Sequence, residues 1–386
     1  MSSLDLHPVE RARAIGKIIS PLSNAIEESR RLPHEVVRAL TEGGLFKLVV
    51  SRELGGGGAS ALTLLTVIEE IARADGSAGW CTMIGAVSGL MSAFLEEGVA
   101  REIYSPADAI TCGVAAPMGR ATPVDGGFRV TGRWAFASGC EHSAWRMVGT
   151  IVAQDPPERL PSGAPDVRCV LLRAEDTKVI DTWTTHGLRG TGSHDLGVTD
   201  AFVPASRTFS LLSTPMRRTG PIHRLPFLGV LAAGVAAVSL GIARAAIDEF
   251  LELARSKTPL GSKRGIAHRE LIQMAVAQAE AKVRSARALL HERIEAAEAE
   301  TDLGEALSLH ARALLRIAAC NAATESAAAV DLVYTAAGGT SIYATSPLQR
   351  CFRDVHVTTQ HAMVSSTMAT LAGRVLLGVE TDASAL

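Results

Sequence analysis

The sequence predicts a mostly α-helical protein with a central β domain: a helical N-terminal domain over 1–105, a small antiparallel β domain over 106–215 and a C-terminal four-helix bundle over 216–386. Three observations carry this prediction. Residues 1–105 read as helices. Near residue 106 the texture changes to short runs rich in Val, Thr and aromatics, punctuated by Asp-Gly, Pro and Gly. From about 221 the periodic segments return and lengthen, to 227–256, 267–298 and 303–336, with a shorter one near 360–378. Long helices joined by short loops favour an antiparallel bundle.

The elements follow in order. At 386 residues, two or three folding units are expected. The chain is 47% hydrophobic but only 4% aromatic, so Ala, Leu, Val and Gly must fill closely packed helix contacts. Leu32–Pro33 opens a helix, since Pro suits a first turn. Gly55–Gly58 reads as a flexible break before ALTLLTVIEEIARADG, which Asp75–Gly76 ends. SAGWCTMIGAVSGLMSAFLEE is apolar nearly all round and predicts a central buried helix. PVDGGFRVTGRWAF carries a hairpin turn at Asp-Gly. FLGVLAAGVAAVSLGIA, 227–243, is uncharged over seventeen residues. It is short of the roughly 20 a membrane span needs, so it predicts a buried bundle helix. Glu292, Glu295, Glu298 and Glu300 predict a solvated face.

Composition excludes several functions. Net charge is −2, from 38 basic and 40 acidic residues, with no basic stripe for nucleic acid. Six cysteines without a CxxC pattern read as reduced, mostly buried thiols, and the N-terminus lacks an apolar signal core; a cytoplasmic, non-membrane protein is expected. GTGSHD at 190–195 is neither a dinucleotide fingerprint nor a phosphate loop, and there is no GxSxG or HExxH. In RDVHVTTQHA, 353–362, two histidines stand five apart. On a helix they would point about 140° apart, so they make no two-ligand metal face, no metal is expected, and only one of His356 and His361 can face a given pocket.

Three phrases go further. In GRWAFASGCEHSAWRMVG, 132–149, Gly139 lets a backbone turn approach a flat ligand and Ser138 offers a hydroxyl, although an ordinary strand end reads the same. THGLRGTGSHDLGVTDAFVP, 185–204, taken alone is a glycine-rich β connection. AAGGTSIYATSPLQRCFRDVHVTTQHA, 336–362, has a tight break at Gly338–Gly339, and its Arg350 and Arg353 are expected to pair with Asp354 or a phosphate. A lone histidine such as His361 is more often structural than catalytic.

The order of these phrases resembles the acyl-CoA dehydrogenase superfamily over nearly the whole chain. GLRGTGSHD resembles the signature after its middle domain, and SLGIARAAIDEFLELA the start of its first bundle helix. GRWAFASGC, SPLQRCFRDVH and TTQHA are similar to one branch, the two-component flavin-dependent monooxygenases (group D hydroxylases). The resemblance implies the oxygenase component of such a system. That component uses FMNH2 or FADH2, delivered by a separate flavin reductase, and O2, through a C4a-hydroperoxyflavin, to hydroxylate an aromatic or related small organic substrate. It implies His361 and Ser138 as catalytic, with Ser138 at the flavin N5. Flavin contacts are implied for Ala115, Phe136, Ser138, Gly139, Gly338 and Gly339, and substrate contacts for Trp80, Ser88 and Phe227. A homotetramer is expected, with flavin sites completed across subunits near Gly338–Gly339. Ser88 stands where several phenol hydroxylases have a substrate-binding histidine, against a simple phenol. Lys257 replaces the Arg with which dehydrogenases hold the FAD diphosphate, favouring FMN or loosely held flavin. Two alternatives are a dehydrogenase with a non-standard base, for which Glu249 and Glu252 look too solvated, and a non-catalytic helical scaffold.

Overall fold

The structure is a computed structural model that describes residues 6–153, 166–211, 213–218, 220–302 and 306–386. The N-terminal part holds α1 (Pro8–Ile19), α2 (Ser23–Ser29), α3 (His34–Glu42), α4 (Ala61–Ala74), α5 (Gly76–Ser88) and α6 (Glu97–Tyr104). The Gly55–Gly58 stretch is a firmly bonded turn, contrary to the flexible break expected. The Gly57 and Gly58 amides donate to Lys47 O (3.0 Å) and Val50 O (2.9 Å). Asp75 ends α4 and at once caps α5, its Oδ1 accepting from Ala78 N at 2.9 Å. The two helices therefore meet at a corner one residue wide, which fixes where α5 enters the core. α5 is buried nearly all round, as its sequence predicts.

The middle sheet contains β1 (Thr111–Val124), β2 (Gly127–Trp134), β3 (Trp145–Val152), β4 (Val167–Arg173), β5 (Lys178–Ile180), β6 (Asp195–Pro204) and β7 (Thr208–Phe209). Their order is β5-β6-β2-β1-β3-β4-β7. The hairpin predicted at Asp125–Gly126 joins β1 and β2. The sheet is mixed, which corrects the antiparallel expectation: β1 and β3 are parallel. The cause is the loop after β2. It carries the chain back to the beginning of β1, where Ala144 N donates to Ile110 O at 2.9 Å, so β3 leaves in the same direction as β1. β1 also bulges between Val114 and Pro117; bulges re-aim a strand and recur beside active sites.

The C-terminal part comprises α7 (Phe227–Ser256), α8 (Glu270–Asp302), α9 (Leu309–Ala337), α10 (Pro347–Thr359) and α11 (Ser366–Leu376). The uncharged stretch lies in α7, and 83% of its most apolar window is buried inside the protein, against α4, α5, α9 and α10. The Ala-rich faces of α7 and α9 are largely occupied within the chain, in one continuous core that also includes α4 and α5. Ser308 caps α9, accepting from Ala311 N at 3.2 Å; residues 303–305, where the sequence put its start, lie outside the described residues. Glu298 leaves the expected solvated face: its Oε1 accepts from Ala61 N at 2.7 Å, and burial raises its carboxyl pKa. It satisfies an amide at the start of α4 that no intrahelical carbonyl reaches. Among the described residues the six cysteines are free thiols, five of them buried.

Candidate active site

The site is built around one indole. Trp80 is held on buried α5, and its Nε1–H donates to Ser138 Oγ at 2.9 Å. The His361 imidazole meets the same ring edge-on, with centroids 5.5 Å apart and planes at 67°. Trp80 thus links the turn after β2 to the end of α10.

The turn after β2 is strained in a directed way. Phe136 sits at φ +66° and leaves 71% of its side chain exposed, its edge toward Trp183 at 6.2 Å. A bulky residue in the left-handed region costs about 1–2 kcal/mol. Gly139 follows at φ +75°, where an added Cβ would stand 3.1 Å from His142 Nε2. The turn is stitched to the 188–194 loop by Ala137 N to His194 O (3.0 Å) and Gly139 N to Thr191 O (2.9 Å). Side chains continue the seam: Ser138 Oγ lies 2.7 Å from Ser193 Oγ, which lies 2.6 Å from Thr191 Oγ1. Thr191 Oγ1 donates to Leu188 O at 2.8 Å. Sequence alone reads this loop as a glycine-rich connection, and by resemblance as a family signature, without singling out Thr191 and Ser193; the signal is a hydroxyl at alternate positions in GTGSHD. It also missed His142, against the Phe46 ring at 5.7 Å, whose pKa burial lowers to about 4.

The loop is anchored to α10. Asp354 Oδ1 accepts from Leu188 N at 2.6 Å. Burial, then the nearby Asp75, raises the Asp354 pKa to about 7, and burial raises that of Asp75 as well. The expected pairing of Asp354 with Arg350 and Arg353 gives way to other contacts. Arg350 donates to Asn24 Oδ1 (2.7 Å) and Arg353 bridges to Glu27 (2.6 Å), tying α10 to α2.

His361 lies beyond α10, in extended conformation (φ −70°, ψ 132°), capping a single turn at Ala362–Val364. The two histidines therefore diverge because the helix ends between them, rather than through the helical angle. His356 pairs with Asp331 at 2.9 Å on a half-exposed face. His361 Nδ1 accepts from Met363 N at 3.3 Å, so the neutral ring carries its proton on Nε2. Burial first, then Arg316, lowers its pKa to about 4, so at neutral pH it is an uncharged donor. Arg316, fully buried, holds this loop through Met363 O (2.8 Å) and reaches Leu228 O (3.3 Å), next to Phe227 at the start of α7.

The remaining predicted residues are less closely joined. Ala115 lies in the β1 bulge, part-buried. Ser88 is buried at the end of α5, two turns beyond Trp80, its carbonyl accepting from Tyr104 OH at 3.1 Å. Gly338 has φ +61°, ψ −149°, a region open essentially to glycine alone. A Cβ on it or on Gly339 would meet nothing within 4 Å. Lys257 Nζ binds this turn through Ala337 O (2.7 Å) and Thr340 Oγ1 (2.6 Å). Among the described residues, no hydrogen bond or ring contact joins Gly338–Gly339 to Ser138 or His361 within one chain. Glu249 is half-buried on α7 and Glu252 exposed. Among the described residues no group of three or more His, Cys, Asp or Glu could hold a metal ion.

Comparison with known proteins now gives the class. The acyl-CoA dehydrogenase N-terminal domain model matches residues 10–101 and the C-terminal domain model residues 233–366. The chain is 33% identical over 352 residues to an indole-3-acetate monooxygenase of Pseudomonas putida, covering 91% of this chain and 89% of that protein. It therefore belongs to the acyl-CoA dehydrogenase family. It is 29% identical over 390 residues to the oxygenase component of an FADH2-dependent resorcinol hydroxylase of a Rhizobium species, covering 96% and 94%. The crystal structure of 3-HSA hydroxylase from a Rhodococcus species superposes with a TM-score of 0.90 at 26% identity, over all of both chains. Within the family, the chain falls among the oxygenase subunits of two-component flavin-dependent monooxygenases, and is an oxidoreductase.

Proposed function

We propose that this protein binds reduced flavin against the turn at 136–139 and, with O2, hydroxylates a small aromatic substrate held between Trp80, Ser88, Phe227 and His361. The observation that carries the reading is the indole of Trp80 touching both Ser138 and His361. The chain's own residues suit a flat heteroaromatic ring. Phe136 keeps a costly backbone conformation while offering a bare aromatic face. The β1 bulge at Ala115 and the left-handed Gly139 open the backbone beside it. Gly338–Gly339 stands in open space, ready for a neighbouring subunit's ligand.

When bound, reduced flavin supplies the two electrons that activate O2. Ser138 would accept a hydrogen bond from its N5 edge. The buried wall of α5 excludes water, which strengthens each polar contact inside. His361 would donate from Nε2 to a substrate oxygen, and its low pKa keeps it neutral while it does so. The reduced flavin would be FADH2 or FMNH2 from a separate reductase. The protein would work in the cytoplasm as a homotetramer, for which the exposed Leu271 and Met274 on α8 are the clearest apolar footing.

Anaerobic titration with FADH2 and FMNH2 tests this, followed by O2 and either indole-3-acetate or resorcinol. Tight binding of a reduced flavin and an O2-dependent hydroxylated product are expected. Binding of neither flavin, with no product, overturns the reading.

A further inference from the structure

The four contacts around Ser138 admit one arrangement of protons that satisfies all of them. The Leu188 carbonyl can only accept, so the single hydroxyl proton of Thr191 goes there, at 2.8 Å. Thr191 Oγ1 must then accept from Ser193 across 2.6 Å. Ser193, its proton used, accepts from Ser138 across 2.7 Å. Ser138 in turn accepts from the Trp80 indole, which can only donate, at 2.9 Å. Its proton and one lone pair are now taken. One lone pair remains, so toward any ligand Ser138 can accept but cannot donate. Thr191 and Ser193 retain only 2% and 3% of their surface, too little for water to turn either hydroxyl around. Reversing all three would leave Thr191 Oγ1 and Leu188 O facing each other at 2.8 Å with no proton between them.

We propose that Thr191 and Ser193 are positioning residues that hold Ser138 as an acceptor only, and so make this site prefer the reduced form of flavin to the oxidised form. The inference rests on the flavin reading above. The chemistry is a difference of one proton. N5 of reduced flavin bears N–H, a donor that Ser138 can receive. N5 of oxidised flavin is a bare lone pair, which meets a lone pair on Ser138. A site built to hydrogen-bond one partner rejects the analogue that leaves a polar group unpaired. One hydrogen bond's worth of discrimination is about tenfold. The direction is set three residues away from the ligand, at the Leu188 carbonyl.

The test is the ratio of dissociation constants for the oxidised and reduced forms of FAD and of FMN, measured anaerobically on the full chain. Wild type is expected to favour the reduced form at least tenfold. Ser193→Ala lets the Ser138 proton turn outward, and the ratio should fall about tenfold, chiefly because the oxidised flavin binds better. Thr191→Val should act the same way, since Ser193 can then donate to Ser138. Thr191→Ser keeps the relay and should restore the ratio. The Thr191 pair also carries the test if Ser193→Ala fails to fold. A merely structural role would weaken both forms alike and leave the ratio unchanged; that result overturns the proposal, as does a wild type without preference. If wild type binds neither form of FAD or of FMN, the flavin reading itself fails.

Discussion

Phe136 and His361 show how single residues at this site depart from what stability alone would select. Phe136 holds a left-handed backbone and an exposed ring together. Phe136→Gly relieves the strain, and its loss of unfolded-state order roughly offsets the gain, so global stability should stay within about 1 kcal/mol of wild type. Reduced-flavin affinity should nevertheless fall several-fold, as read by anaerobic titration beside a thermal melt. A large stability loss with unchanged affinity would show that the ring is structural. His361 is neutral because burial drives its pKa down to about 4. Its NMR titration between pH 5.5 and 8 should be flat, and the pH profile of hydroxylation should carry no step from it. His361→Ala should lower single-turnover hydroxylation about 100-fold or more. His361→Gln, which keeps an N–H donor, should lose less; equal losses would mean that donation is not its role.

At the scale of elements, two junctions decide whether the site holds its shape. One is α10 against the 188–194 loop, through the buried carboxyl of Asp354. Its folded pKa of about 7 lies above its ordinary value of 3.8. Its contribution to stability is therefore fully present below pH 4 and is lost as pH rises toward 7. Asp354→Asn does not titrate there, so its melting temperature should gain on wild type by a few degrees between pH 4 and 7. A difference constant with pH would sink that assignment. The other junction is Lys257 at the end of α9. Lys257→Met removes a cation from the last carbonyls of that helix and should cost about 1 kcal/mol, with loosening confined to 337–341 by hydrogen exchange. How much of this was legible follows from the same parts. The buried α5, the hairpin at Asp125–Gly126 and the uncharged core of α7 were plain from periodicity and turn chemistry. The parallel pairing of β3 with β1 was not, because the path of an irregular loop leaves no periodic mark. Glu298 was misread because i, i+3 spacing marks a shared face without saying whether another helix's amide waits opposite. Thr191 and Ser193 were invisible because hydroxyls become a relay only when folding sets them side by side.

For the whole molecule, one core joins the helices that precede the sheet in the chain to those that follow it, so unfolding should be cooperative rather than domain by domain. A single chain leaves Leu271, Met274, Ile342 and Tyr343 well exposed, apolar side chains that subunit contacts would cover. Sedimentation should report four copies, and Leu271→Glu combined with Met274→Lys should shift the distribution to smaller species. A wild type that sediments as one chain would remove the tetramer.

The bond from Leu188 N to Asp354 has a consequence for how such an enzyme can change. The residue that donates this bond also accepts, at its carbonyl, the last proton of the chain behind Ser138, while the helix that carries the acceptor ends two residues before His361. A substitution that nudged either half would drag the other with it. New substrates are thus more cheaply accommodated by reshaping the lining at Ser88 or Phe227 than by retuning the frame, and laboratory evolution of this chain should accumulate its gains at those lining positions first.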